Sequence, residues 1–115
     1  MRIALAAFGG ALFISGAAAA EAGPDAHAVV LTLKDHRFTP ESVTVPVGRR
    51  IRIDLINQDA AMEEFDSEDL GVEKDVTPNG KVSFFVGPLK AGAYSFMGEL
   101  HSDTASGELK AVDGH

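Results

Sequence analysis

Hydrophobic and polar residues alternate along several short stretches of the chain. In residues 49–57, Ile51, Ile53 and Leu55 fall on one face of an extended chain, and the charged residues between them fall on the other. A repeat of two residues is typical of a β-strand with one buried face. Similar runs occupy residues 28–33, 41–45, 81–86, 93–97 and 108–112. No stretch after residue 20 sustains the 3.6-residue repeat of an amphipathic helix, so the pattern predicts an all-β sandwich of about seven short strands.

Turn-forming residues separate the predicted strands. The sequence Pro78-Asn79-Gly80 favours a tight turn because Asn-Gly tolerates positive φ angles. Residues 59–75 carry eight carboxylates and one lysine, and only residues 70–76 alternate, weakly. We interpret residues 59–75 as a long acidic loop that rejoins the sheet.

The N-terminal 20 residues have the features of a secretory signal peptide. Arg2 gives a positive start, residues 3–16 are apolar and uncharged, and four alanines precede Glu21. The alternative is an uncleaved anchor, but the apolar run is shorter than the ~20 residues that span a bilayer. We therefore expect a cleaved signal peptide at 1–20, a flexible lead at 21–27 and one domain at 28–113. The domain would be exported to the periplasm and would not be embedded in the membrane.

Composition excludes several classes of chemistry. The chain has no cysteine, so disulfides, thiolate metal sites and cysteine nucleophiles are absent. Its 17 acidic and 10 basic residues give a net charge of −7. That balance argues against nucleic acid, whose phosphates need a basic surface. It suits cations or a basic protein partner.

A polar turn after the predicted strand at 93–97 carries possible metal ligands. Glu99, His101 and Asp103 lie in this turn, and the chain then returns to a strand. Imidazole and carboxylate ligands suit Fe, Mn, Zn or Cu(II) and disfavour Cu(I). The stretch predicts a metal-site loop on a β-scaffold, and the alternative is a surface hairpin with ordinary polar residues.

The order of motifs along residues 31–112 resembles the cupredoxins, which are Greek-key β-sandwiches with a metal site at one end. The motifs are Phe38-Thr39-Pro40, the strand at 49–57, Asn57-Gln58-Asp59, the acidic segment, Gly87-Pro88-Leu89, Tyr94-Ser95-Phe96, then His101 and Gly107. The fold that this resemblance implies is the cupredoxin-like Greek-key sandwich.

Blue-copper cupredoxins hold their metal with two histidines, a cysteine and a methionine. The resemblance places the first histidine position at Glu64, the cysteine at Gly98, the second histidine at His101 and the methionine at Ala105. Only His101 keeps the ligand type. Because a blue-copper centre depends on its thiolate, the resemblance implies neither a blue-copper site nor ordinary blue-copper electron transfer.

Three motifs look like a narrower group within the cupredoxins. They are Asp35-His36-Arg37-Phe38, Glu63-Glu64-Phe65-Asp66-Ser67 and residues 98–105. They resemble the cupredoxin-like periplasmic components of bacterial ferrous-iron uptake systems, and the cupredoxin domain of EfeO-type proteins. Those components accompany an Ftr-type iron permease and a periplasmic iron-binding protein. The resemblance implies a role in iron import, with oxidation of ferrous iron as the proposed chemistry.

We therefore predict one mononuclear carboxylate/histidine site for a copper or iron ion. The predicted ligands are His36, Glu64, Glu99 and His101. Glu63 replaces Glu64 if the register shifts by one residue. Further candidates are Met62, Met97 and Asp103.

Three functions remain open from the sequence. The leading hypothesis is a periplasmic protein of ferrous-iron uptake, which oxidises iron or hands it to the permease. The second is a periplasmic copper chaperone or storage protein without redox turnover. The third is a metal-free adhesion or scaffold sandwich.

Overall fold

Nine β-strands make up most of residues 26–113, the part of the chain that the computed structural model describes. They are β1 (His27–Lys34), β2 (Arg37–Thr39), β3 (Ser42–Pro46), β4 (Ile51–Asn57), β5 (Glu63–Ser67), β6 (Val72–Val76), β7 (Lys81–Val86), β8 (Gly92–Gly98) and β9 (Ser106–Val112). A single 3₁₀ turn, Glu99–His101, joins β8 to β9 in this range. Residues 26–113 contain no helix long and apolar enough to cross a membrane.

The predicted signal peptide, residues 1–20, and most of the predicted lead, residues 21–27, lie outside the described residues. Strand β1 begins at His27, the last residue of that lead.

The strands form two sheets packed face to face. Their orders are β2-β1-β4-β7 and β3-β9-β8-β5-β6. The pairs β1/β4 and β3/β9 are parallel, and the remaining pairs are antiparallel. The chain passes from one sheet to the other after β2, β3, β4, β6 and β7. The predicted all-β sandwich is confirmed.

The core consists of the inward faces that the alternation predicted. Ile51, Ile53 and Leu55 are completely buried. The rings of Phe65 and Phe96 are stacked with centroids 5.0 Å apart. Each such side chain contributes about 1.5–3 kcal/mol through burial. Hydrophobic burial therefore holds this domain together without a disulfide.

The acidic segment forms a hairpin, which corrects the prediction of a long loop. Strands β5 and β6 pair in the register Glu64↔Asp75 and Asp66↔Glu73. Along β5 the buried positions alternate with half-buried acidic ones. The alternation was hidden in the sequence because Glu63, a charged residue type, occupies one of the buried positions.

Candidate metal centre

His36 lies at the tip of a strained two-residue turn between β1 and β2. Asp35 and His36 both have positive φ angles, of 54° and 58°, as a type I′ hairpin turn requires. Asn-Gly is the usual pair there, and a bulky residue in this region is strained. The turn therefore needs support from elsewhere in the molecule.

The support comes from the carboxylate of Asp59. Its Oδ1 accepts the backbone N–H of Asp35 at 2.7 Å, and its Oδ2 accepts that of His36 at 2.9 Å. Burial raises the pKa of Asp59, but these hydrogen bonds from His36 and Asp35 outweigh it and hold the pKa below its ordinary value. The same Oδ2 lies 3.6 Å from Nδ1 of His36. The ionised carboxylate thus fixes the backbone of the turn.

Asn57, at the end of β4, holds Asp59 in place. This side chain is 1% exposed. Its Nδ2 donates to the carbonyls of Ala61 and Thr77 at 2.8 and 3.0 Å. Its Oδ1 accepts the backbone N–H of Asp59 at 3.0 Å. The amide therefore ties the loop after β4 to the segment after β6.

Glu63 places a buried carboxylate at the same end of the sandwich. It is 3% exposed and lies on the inward face of β5, two residues before Phe65. Its Oε1 accepts the backbone N–H groups of Glu64 and Leu100 at 3.0 and 2.8 Å. Its Oε2 lies 2.8 Å from Nδ1 of His101. A buried charge needs such partners, and this carboxylate has three.

His101 completes the cluster from the 3₁₀ turn. Its carbonyl accepts the backbone N–H groups of Thr104 and Ala105 at 3.1 and 2.9 Å, which fixes the backbone of the turn. Its ring stacks on that of His36, with centroids 3.7 Å apart and planes 12° from parallel. One potential ligand atom from each of His36, Glu63 and His101 lies within 4.8 Å of the others. Three metal-binding groups thus converge from three separate elements.

The structure brings together two of the four predicted ligands, His36 and His101. The carboxylate beside them belongs to Glu63, the alternative that a one-residue shift allows. Two sequence features could have identified it. Glu63 lies two residues before Phe65, so alternation puts it on the buried face, and Gly98 leaves space next to it.

Glu64 and Glu99 lie instead in an acidic surface group. Partial burial, and then the charges of Glu73 and Asp75, raise the pKa of Glu64. A hydrogen bond to Asp66, and then the charge of Asp66, raise the pKa of Glu99. The other candidates, Met62, Met97 and Asp103, are exposed. The cluster at His36, Glu63 and His101 includes none of these five residues.

The donor set does not fit a blue-copper centre. The chain has no cysteine, and the site offers two imidazoles and a carboxylate. A Cβ atom added at Gly98 would lie 2.6 Å from the Glu63 carboxyl carbon, so the carboxylate already fills the side-chain space of position 98. The set does fit an ion that accepts nitrogen and oxygen ligands, such as Cu(II), Zn or Fe.

The comparisons with known proteins define the class to which this two-sheet sandwich belongs. The profile of the cupredoxin-like domain matches residues 3–111, and the chain belongs to that family. An uncharacterized protein of Rickettsia prowazekii (strain Madrid E) is 44% identical over 85 residues, which cover 74% of this chain and 68% of that protein.

Solved structures share the fold at low sequence identity. The metal-binding domain of the Cu(I)-exporting P-type ATPase CopA from Streptococcus pneumoniae, solved with Cu(I), has a TM-score of 0.69 and 12% identity, over 77% of this chain and 88% of that chain. Auracyanin A, a "blue" copper protein from Chloroflexus aurantiacus, has a TM-score of 0.66 and 14% identity, over 76% of this chain and 99% of that chain. The fold is therefore cupredoxin-like.

Proposed function

We propose that this protein binds one transition-metal ion through His36, Glu63 and His101, and that Cu(II) is an ion it accepts. The observation that carries the proposal is the convergence of two imidazoles on a buried carboxylate, with ligand atoms within 4.8 Å of one another. The buried carboxylate of Glu63 lies beside two histidines, and no Lys or Arg of residues 26–113 is among its hydrogen-bond partners. Such a carboxylate is suited to a cation.

The two histidines differ in exposure and in the contacts of their rings, which affects how an ion would be held. Nitrogen lone pairs lie in the plane of the imidazole ring, so two stacked rings direct them side by side and not towards one point. One ring must turn for both to bind the same ion. His101 is 29% exposed and held by Glu63, whereas the His36 side chain is 42% exposed. His36 is therefore the ring that turns.

The bound ion would supply Lewis acidity or redox chemistry at the end of the sandwich. The residues around it have separate tasks. Oε2 of Glu63 and Nδ1 of His101, which lie 2.8 Å apart, would bind the ion side by side in place of the hydrogen bond between them. Asp59 keeps His36 at the tip of its turn. An oxygen donor favours the more highly charged oxidation state of a metal over the lower one.

In the cell, we assign the protein to ferrous-iron uptake in the periplasm. Iron would be the substrate: Fe(II) would give one electron to O₂ and become Fe(III) at this site, or the ion would pass from the periplasmic iron-binding protein to the permease. Two features support this role. The donor set is a carboxylate with two histidines, and the three sequence motifs resemble components of such systems. The acidic face of β5 and β6 suits a cationic substrate or a basic partner.

A copper chaperone is the second candidate, because the solved structures of similar fold include copper-binding proteins. The two functions differ in turnover. A chaperone binds its ion stoichiometrically and does not accelerate Fe(II) oxidation. Oxygen uptake with excess Fe(II), measured with and without the protein, separates them.

Metal binding itself is tested by titration of the purified protein with Cu(II) and Fe(II). Glu63→Ala and Glu64→Ala form a matched pair, since the residues are adjacent and of one type but only Glu63 contacts His101. We expect Glu63→Ala to weaken Cu(II) binding by about tenfold or more, and Glu64→Ala to leave it nearly unchanged. Equal losses in the two variants, or no uptake by the unaltered protein, would contradict the proposal.

A further inference from the structure

The Glu63 carboxylate occupies the volume that a side chain at position 98 would need. Gly98 is buried at the end of β8 and pairs with Phe65 of β5. A Cβ atom at Gly98 would lie 2.6 Å from both Cδ and Oε2 of Glu63, and 2.9 Å from Cβ of Ala105. Real Cβ atoms do not approach other atoms so closely, so any side chain at position 98 displaces the carboxylate.

Backbone conformation does not explain the glycine. Gly98 has φ −92° and ψ 110°, which any residue adopts readily. Glycine inside a strand weakens it, because glycine loses more conformational freedom on folding and packs no side chain. What position 98 gains is space for the Glu63 carboxylate. The atom that would be displaced, Oε2, is the one that faces Nδ1 of His101.

We propose that Gly98 is a specificity-determining residue of the metal site. Because position 98 has no side chain, the Glu63 carboxylate has room to act as an oxygen ligand. The site therefore prefers Cu(II) to Cu(I). This inference rests on the proposed function, because it concerns the same ion. The physical reason is ligand softness: a carboxylate suits the harder, more highly charged ion, and Cu(I) prefers thiolate or thioether ligands.

The test measures dissociation constants for Cu(II) and Cu(I) by chelator competition. It compares the unaltered protein with Gly98→Ala, Glu63→Ala and the variant carrying both changes. Gly98→Ala is expected to weaken Cu(II) binding by about tenfold or more, since displacing a ligand costs at least as much as losing a residue that only orients one. Binding of Cu(I) should change far less. In the Glu63→Ala background the same glycine substitution should add no further loss.

A second pair of variants isolates the contact with Glu63. Ala105→Gly removes the other close neighbour of position 98, so the variant with both Ala105→Gly and Gly98→Ala keeps only the conflict with the carboxylate. It should lose Cu(II) affinity as Gly98→Ala does. Recovery of affinity in this variant would overturn the inference, because the steric conflict would then lie with Ala105.

Thermal unfolding without metal keeps the inference testable if Gly98→Ala folds poorly. Removing the Glu63 side chain should then reduce the loss of Tm that Gly98→Ala causes. Equal losses of Tm in the two backgrounds would overturn the inference. A Gly98→Ala protein that keeps its preference for Cu(II) over Cu(I) would also overturn the inference. In that case the proposed function as a metal-binding protein would remain valid. If the unaltered protein takes up no ion, the proposed function fails and this inference with it.

Discussion

Replacing Asn57 by alanine should destabilise the protein, because three hydrogen bonds depend on its buried amide. The amide donates to the carbonyls of Ala61 and Thr77 and accepts from the N–H of Asp59. The side chain is 1% exposed, so water does not readily replace it. A hydrogen bond contributes about 1 kcal/mol net, which gives about 3 kcal/mol for the three. In a domain of this size that corresponds to roughly 12–24 °C in Tm.

Metal-free protein is the right material for this experiment, since a bound ion would add its own stabilisation. Urea and thermal unfolding would be compared for Asn57→Ala and for Gln58→Ala. Gln58 is the exposed next residue and serves as the matched control, with an expected change within about 0.5 kcal/mol. A loss below about 1 kcal/mol for Asn57→Ala would show that other contacts, and not the Asn57 amide, hold the loop that carries Asp59.

Two further predictions concern the strained turn and the acidic hairpin. His36→Gly should weaken metal binding while raising the free energy of unfolding by up to about 1 kcal/mol, since glycine adopts a positive φ without strain; a marked loss of stability in urea unfolding would show that His36 is structural. Glu64→Gln should raise Tm at neutral pH. The pKa of Glu64 is raised in the folded state, so its ionised form destabilises the protein, and protonation removes the effect as pH falls through that pKa. A Tm difference that stays constant from neutral to acidic pH would contradict this explanation.

The strands could be predicted from the sequence because their burial follows local alternation. Ile51, Ile53 and Leu55 are buried as the repeat of two residues indicates. The same rule failed for β5, where the buried position next to the site is occupied by Glu63. A charged residue type predicts an exposed side chain only when the interior offers no hydrogen-bond donors to satisfy the charge. Here the backbone N–H groups of Glu64 and Leu100 and the ring of His101 satisfy the charge, and Leu100 and His101 lie 37 and 38 positions away along the chain.

Sequence reasoning led to His36 and His101, which the structure brings together, and to Glu64, with Glu63 as the alternative if the register shifts by one residue. The resemblance in sequence order pointed to Glu64, which an alternating strand turns away from the cluster. Its neighbour Glu63 faces inward because Phe65 does, and the space at Gly98 admits it. The support of His36 by Asp59 spans 23 residues and depends on β1 and β4 lying side by side in one sheet. Contacts of that kind appear only in the folded structure.

Anomalous diffraction from crystals loaded with Cu(II) would show where the ion binds. With data on either side of the copper absorption edge, we expect one strong peak within bonding distance of His36, His101 and Glu63, with the His36 ring turned out of its stack. A peak among the carboxylates of Glu64, Asp66 and Glu99, or no peak at the end of the sandwich, would show that His36, Glu63 and His101 do not form the metal site.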